Sequence, residues 1–191
     1  MRDLVQIPLV HVPFGVWGQE RIEYWFGKSP DPDIVRRIVD GHKRYWDAVD
    51  SYLREEHFDK VYQEGSAVEE PMHEFLEFFG KFRGIERNVD AFFGLIERGV
   101  EFVRTESVYA RNESNARRIF QKPDELEPRD SFMAKNIDET LGDGQRGVLF
   151  LGVDHGVDRI LNGGYQGIRA RRFHNDPAYL IGLLNSITVK H

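Results

Sequence analysis

Short apolar runs mark where the chain is expected to form strands. Residues 5–10 and 148–151 are mostly or wholly apolar, and residues 59–63 and 99–105 are mixed runs around Val61-Tyr62 and Phe102-Val103; each has about strand length and ends at polar, glycine or proline residues. A fifth strand is predicted over 167–173. Nearly continuous apolar runs of this length are typical of parallel strands that are covered on both faces.

Longer segments between these runs have the spacing of amphipathic helices. From Asp33 to Arg54 the apolar residues recur with approximately helical spacing, and Asp33 is placed to cap the start of that helix. Two phenylalanine-rich helices are predicted over 71–80 and 88–98, with their aromatic rings in the core or in a cap over a cleft. The remaining predicted helices cover 129–141, 157–161 and 177–187.

Strands and helices therefore alternate along the chain, which is typical of an α/β fold with a mostly parallel central sheet flanked by helices. A chain of 191 residues is long enough for one domain with a full core. We predict a single α/β domain over 1–191, with 66–98 and 107–128 as helical and loop insertions that lie over a cleft.

Four of the predicted strands finish on a titratable side chain. These side chains are His11, Glu64, Glu106 and His155. Because the carboxyl ends of parallel strands lie at one edge of a sheet, we expect the four groups to face a common cleft, where open α/β folds bind their ligands.

The composition excludes several classes of function. The net charge of −6 argues against nucleic-acid binding, which requires a basic surface. The absence of cysteine excludes disulfides, thiolate nucleophiles and cysteine-ligated metal centres. No leader-like segment and no run of about 18 apolar residues occurs, so a soluble, cytoplasmic protein without a membrane partner is expected.

Several of these residues fall in motifs that resemble a known superfamily. A strand ends in histidine, a second ends in Glu64-Gly65, a third ends in Thr-Glu-Ser, a helix carries Arg-Asp-x-x-Met-Ala-x-Asn-Ile from Arg129, and a last strand ends in Gly-x-x-His at His155. In this order the motifs resemble the erythromycin-esterase, ChaN and TraB/Tiki-like superfamily. The resemblance implies an α/β core and a site formed by His11, Glu64, Glu106, Arg129 and His155.

Two histidines and two carboxylates are compatible with two mechanisms. In the first, a neutral His11 or His155 is the general base for a water molecule, a carboxylate fixes the imidazole tautomer, and Arg129 stabilises the developing oxyanion. In the second, His11, Glu64 or Glu106, and His155 bind a divalent metal ion whose coordinated water is the nucleophile. The spacing of these residues in the sequence favours neither.

Members of the superfamily include ester hydrolases, metal-dependent peptidases and haem-binding proteins, so the resemblance constrains the fold more than the reaction. We expect a hydrolase of an ester, amide or peptide-like bond, acting on a small or peptide-like molecule. The alternatives are a non-catalytic protein that binds haem or a metal in the same cleft, and a member that has lost its activity. Asp130, which follows Arg129 in the sequence, is interpreted as a helix-start residue whose negative charge interacts favourably with the helix dipole.

Overall fold

Five parallel strands form the centre of the computed structural model, which describes residues 1–9, 32–108, 127–152 and 155–173. Across the sheet the third strand lies at one edge, followed by the second, the fourth, the first and the fifth, and every neighbouring pair is parallel. The predicted α/β class with a parallel central sheet is therefore confirmed. The strands are β1 Arg2–Leu9, β2 Lys60–Ala67, β3 Glu101–Glu106, β4 Arg146–Gly152 and β5 Ile168–Arg172.

Five helices of the described ranges flank the sheet. They are α1 Pro32–Glu55, α2 Met72–Gly80, α3 Arg87–Glu97, α4 Glu127–Thr140 and α5 Val157–Gly164. Since α1 begins at Pro32, Asp33 lies in its first turn and is not the cap that the sequence predicted; proline suits a first helical position because its missing N–H has no partner there anyway. Among these helices, none combines the length and the hydropathy of a membrane span.

The sheet is covered on both faces, and alternate residues of one strand supply two separate cores. In β4, Val148 and Phe150 pack with α1 and α3 on one face, whereas Leu149 and Leu151 pack with α4 and α5 on the other. All four side chains are fully buried. This double coverage explains why the strand is a continuous apolar run rather than an alternating one.

The carboxyl ends of β2 and β4 lie at a topological switch point. The two strands are neighbours, but the chain leaves β2 for α2 and α3 on the first face and leaves β4 for α5 on the second face. In open α/β sheets the crevice at such a point is where ligands bind. Glu64 and His155 belong to these two strand ends.

The end of β2 differs from the prediction. The strand continues past Gln63 to Ala67, and its regular pairing with β3 is interrupted between those two residues. Gly65 has a φ of 85°, a left-handed conformation that side chains other than glycine rarely adopt. The irregular stretch turns the backbone at Glu64, so this residue departs from the regular ladder.

Phenylalanines from two helices and one strand form an aromatic cluster on the first face. Phe92 of α3 is fully buried, and its ring centroid lies 5.3 Å from Phe79 and 5.0 Å from Phe102. Residues of α2 are less enclosed, since none of them is buried and Phe78 is 60% exposed. Of the segment expected to lie over the cleft, α3 contributes buried residues to the core, and α2 packs against that core with partly buried residues.

Truncation of Phe92 is expected to destabilise the fold strongly. Phe92→Ala leaves a cavity among packed rings, and we expect it to lower the free energy of unfolding by about 3–5 kcal/mol. The exposed Phe78→Ala is the matched control, with an expected loss of less than about 1 kcal/mol. Urea denaturation measures both, and equal losses in the two variants would contradict this account of the core.

Candidate functional site

Four of the five residues predicted to form the site lie in one continuous cluster. Glu64 comes from β2, Glu106 from the end of β3, Arg129 from the first turn of α4, and His155 follows β4. They are linked directly by hydrogen bonds and ion pairs. His11, the fifth, lies outside the described residues.

Arg129 joins the two glutamates. Its Nε donates to Oε2 of Glu106 at 3.0 Å and its Nη2 donates to Oε1 at 2.6 Å, which is the bidentate geometry that a planar guanidinium favours. The same Nη2 donates to Oε1 of Glu64 at 3.0 Å. One buried cation thereby holds carboxylates from two neighbouring strands.

His155 is held between two carboxylates. Its Nδ1 hydrogen-bonds to Oδ1 of Asp130, and its Nε2 lies 3.3 Å from Oε1 of Glu64. The other oxygen of Asp130 accepts the backbone N–H of Gly156 at 2.6 Å. Asp130 therefore fixes the position of the imidazole as well as that of the backbone after it.

Sequence reasoning missed the role of Asp130. Its place in the first turn of a helix already explained the charge, so nothing required a second interpretation. The available signal was its position next to Arg129, since consecutive residues at a helix start can reach two neighbouring groups at one sheet edge. In the structure Arg129 contacts the glutamates and Asp130 contacts the histidine.

Glycine backbone groups complete the cluster. Gly152 N donates to Oε2 of Glu64 at 2.7 Å, and Gly65 N donates to Oε1 of Glu106 at 2.7 Å. A Cβ atom at Gly152 would lie 3.2 Å from Glu64 Oε2 and 3.3 Å from His155 Cδ2. The glycine of the Gly-x-x-His motif thus allows the strand end to approach the site closely.

The contacts of His155 determine its charge. Burial opposes the protonated form, but the hydrogen bond to Asp130 and the contact with Glu64 outweigh it and raise the pKa of His155 to about 9. Burial also opposes ionisation of Glu64, yet His155, Arg129 and the N–H of Gly152 lower the pKa of its carboxyl group to about 2. At neutral pH the site therefore contains an imidazolium next to a carboxylate.

The cluster is buried and almost balanced in charge. Glu106 is fully buried, and Arg129, Asp130 and His155 are each no more than 5% exposed. Three carboxylates and two cations leave a net charge of −1 on the five side chains. Since an unpaired charge in such a place is strongly unfavourable, each member depends on the others.

Glu64 is the member of the cluster that reaches a cavity. Its side chain is 17% exposed, and it lines a space of about 460 Å³ at the start of α2. Gly65 and residues of the chain around α2 form the other described walls. The buried charges are thereby connected to a space in which a small molecule fits.

The described residues do not form a metal site by themselves. Within those ranges no group of three histidine, aspartate and glutamate side chains has the arrangement that would hold a metal ion, and both nitrogens of His155 face carboxylates. The predicted ligand set of His11, Glu64 and His155 includes a residue outside the described ranges, so a metal site there stays a prediction.

Comparison of the chain with protein-family models, with curated proteins and with solved structures finds no match. The resemblance to the erythromycin-esterase, ChaN and TraB/Tiki-like superfamily therefore stays a prediction.

Removal of the central cation is expected to destabilise the protein. Arg129→Met leaves Glu106 buried without its partner, so we expect the free energy of unfolding to fall by about 3–5 kcal/mol. Adding Glu106→Gln removes the unpaired charge and should restore part of that loss. Urea denaturation at neutral pH measures these differences.

Arg83→Met is the matched control for this experiment. Arg83 pairs with Glu97 at 2.7 Å, but both side chains are about half exposed, and such surface pairs contribute about 0–1 kcal/mol. If Arg129→Met lowers the free energy of unfolding no more than Arg83→Met does, the buried pair of Arg129 and Glu106 does not stabilise the fold more than a surface pair.

Proposed function

We propose that the protein is a hydrolase of ester, amide or peptide-like bonds in which Glu64 and His155 work as a coupled acid–base pair. The observation that carries the proposal is the 3.3 Å contact between Nε2 of His155 and the carboxylate of Glu64, which reaches the cavity. An acid and a base held side by side at a ligand cavity can move a proton in each half of a hydrolytic reaction.

His155 is the general acid in this proposal. Asp130 holds the Nδ1–H and thereby fixes the ring, and the proton on Nε2 is directed to the side of Glu64. As the bond between the carbonyl carbon and the leaving group breaks, Glu64, which lines the cavity, passes the proton it received from water to the leaving-group atom and takes the Nε2 proton in its place. This donation avoids the formation of an unstable anion.

Glu64 is the group that orients and deprotonates water. The water oxygen forms the new bond to the carbonyl carbon while its proton passes to Glu64. Because the imidazolium is a main reason that the pKa of Glu64 is low, the carboxylate becomes more basic once His155 has given up its proton. Return of that proton from Glu64 to Nε2 restores the starting state, and the net reaction consumes one water molecule.

Arg129 and Glu106 position Glu64. The guanidinium directs its Nε and Nη2 to the two carboxylates, so its main contribution is to fix the orientation of the reacting carboxylate. The proposal differs from a mechanism with neutral His155 as the base, because the raised pKa keeps this imidazole protonated at neutral pH. A metal-assisted reaction through His11 would be detected by the metal content of purified protein.

Non-catalytic haem binding receives less support from the same cavity. Its ionisable residues within the described ranges are all glutamates. Haem carries two propionates, whose negative charge would be repelled by carboxylates. The charge of the cavity lining therefore disfavours the haem-binding alternative.

Substitution of either member of the acid–base pair is expected to slow hydrolysis strongly. With a panel of nitrophenyl esters and nitroanilides, Glu64→Gln and His155→Gln should each lower kcat by about 10²–10⁴-fold. Glu77→Gln, on an exposed position of α2, is the matched control and should leave the rate unchanged. Circular dichroism confirms that each variant is folded.

Asp130→Asn tests the positioning of His155 separately. Loss of the negative charge should lower the pKa of His155, so the decline of kcat at alkaline pH should begin at lower pH than in the wild type. A wild-type protein that cleaves no member of the panel, or a Glu64→Gln variant with full activity, would contradict the proposed function.

A further inference from the structure

The cavity at Glu64 has walls of two kinds, acidic and aromatic. Its described lining contains three carboxylates and three phenylalanine rings in a space of about 460 Å³. The carboxylates belong to Glu64, Glu70 and Glu74, and the rings belong to Phe75, Phe78 and Phe79.

No lysine, arginine or histidine belongs to the cavity lining in the part of the chain that the structure describes. Arg104 is nearby in the fold, but its guanidinium donates to the backbone carbonyl of Glu70 and it does not line the cavity. Glu64 is already paired with Arg129 and His155, so the remaining negative charge of the described walls is that of Glu70 and Glu74, and the net charge of the whole chain, −6, has the same sign. An anionic ligand would be repelled here, and a cation would be attracted.

Two of the three phenylalanines of the cavity are partly buried, and the third is largely exposed. Phe75 and Phe79 stack with centroids 5.2 Å apart, and both are partly buried against the core. Phe78 is 60% exposed, although large apolar side chains of soluble proteins are most often inside. Because the face of an aromatic ring is electronegative, it attracts cations and also contacts apolar carbon.

We propose that this cavity binds an organic cation, namely a protonated or quaternary amine that carries apolar carbon, as the part of the substrate beside the bond that is cleaved. The inference rests on the proposed function for the identity of the reacting bond. Carboxylates and ring faces together match an alkylammonium group, which has both charge and apolar surface. A hydrated metal ion would interact with the carboxylates but not with the rings. The propionates of haem would be repelled by the carboxylates.

The volume of the cavity limits the size of the ligand. About 460 Å³ lies in the lower part of the usual range for small-molecule sites, which is about 300–1,000 Å³. An ammonium group with a short carbon chain or one ring fits within it. A larger substrate would place the remaining atoms beyond Glu64.

The first test measures binding without catalysis. Choline is the cationic probe, 3,3-dimethylbutan-1-ol is its neutral isostere, and 3,3-dimethylbutanoate is the anionic counterpart. NMR titration at low ionic strength should show choline binding about 10-fold more tightly than the alcohol and no binding of the anion. Equal affinity for choline and the alcohol, or tighter binding of the anion, would overturn the inference.

Variants on a single helix locate the effect. Glu74→Gln removes one carboxylate from the cavity and Phe78→Ala removes one ring, so each should weaken choline binding about 3- to 10-fold. Glu77→Gln, on the same helix but outside the lining, makes the same change of charge and should leave the affinity unchanged. Equal weakening by Glu74→Gln and Glu77→Gln would show a general effect of charge and would overturn the cavity as the binding site.

The second test compares two esters and separates this inference from the proposed function. The acetate ester of choline should be cleaved with a kcat/KM about 10-fold above that of 3,3-dimethylbutyl acetate, and Glu74→Gln should reduce this preference. Cleavage of both esters at equal rates without choline binding would overturn the inference and leave the hydrolase in place. Choline binding by a protein that cleaves neither ester would support the cation site and contradict the hydrolase.

Discussion

The buried guanidinium of Arg129 is the interaction on which the rest of this site depends. Glu64 and Glu106 lie on neighbouring strands at the carboxyl-terminal side of the sheet. Two carboxylates so placed would repel each other in a medium of low dielectric. The bidentate contact with Glu106 and the additional bond to Glu64 make their proximity favourable. The start of α4, which supplies Arg129, is therefore fixed electrostatically as well as by its apolar face.

The same arrangement connects the fold with its proposed chemistry. Glu64 receives bonds from Arg129 and the backbone of Gly152, so its carboxylate stays ionised and oriented where the chain turns away from the sheet. His155, which Asp130 holds on the other side, then has a negative group at each nitrogen and keeps its proton. The ends of two neighbouring strands, β2 and β4, thus place an acid, His155, beside a base, Glu64.

The sequence predicted the convergence of Glu64, Glu106 and His155, because apolar runs locate strand ends and parallel strand ends share one edge. It did not reveal the protonation of His155, which depends on two carboxylates 25 and 91 positions away in the chain. It also gave the phenylalanines of α2 and α3 the same predicted environment, a core or a cap over a cleft. In the structure Phe92 is buried in the core and Phe78 is exposed beside a cavity. Burial depends on tertiary packing, and composition alone does not distinguish these positions.

His155 is an imidazolium held between Asp130 and Glu64, and its charge can be measured by NMR titration of the ring nitrogens. We expect a pKa of about 9 for His155 in the wild type and a lower pKa in Glu64→Gln, because that substitution removes one of the two negative partners. If His155 titrates near the ordinary value of about 6.5, with or without the Glu64 carboxylate, it is not the imidazolium of a coupled acid–base pair.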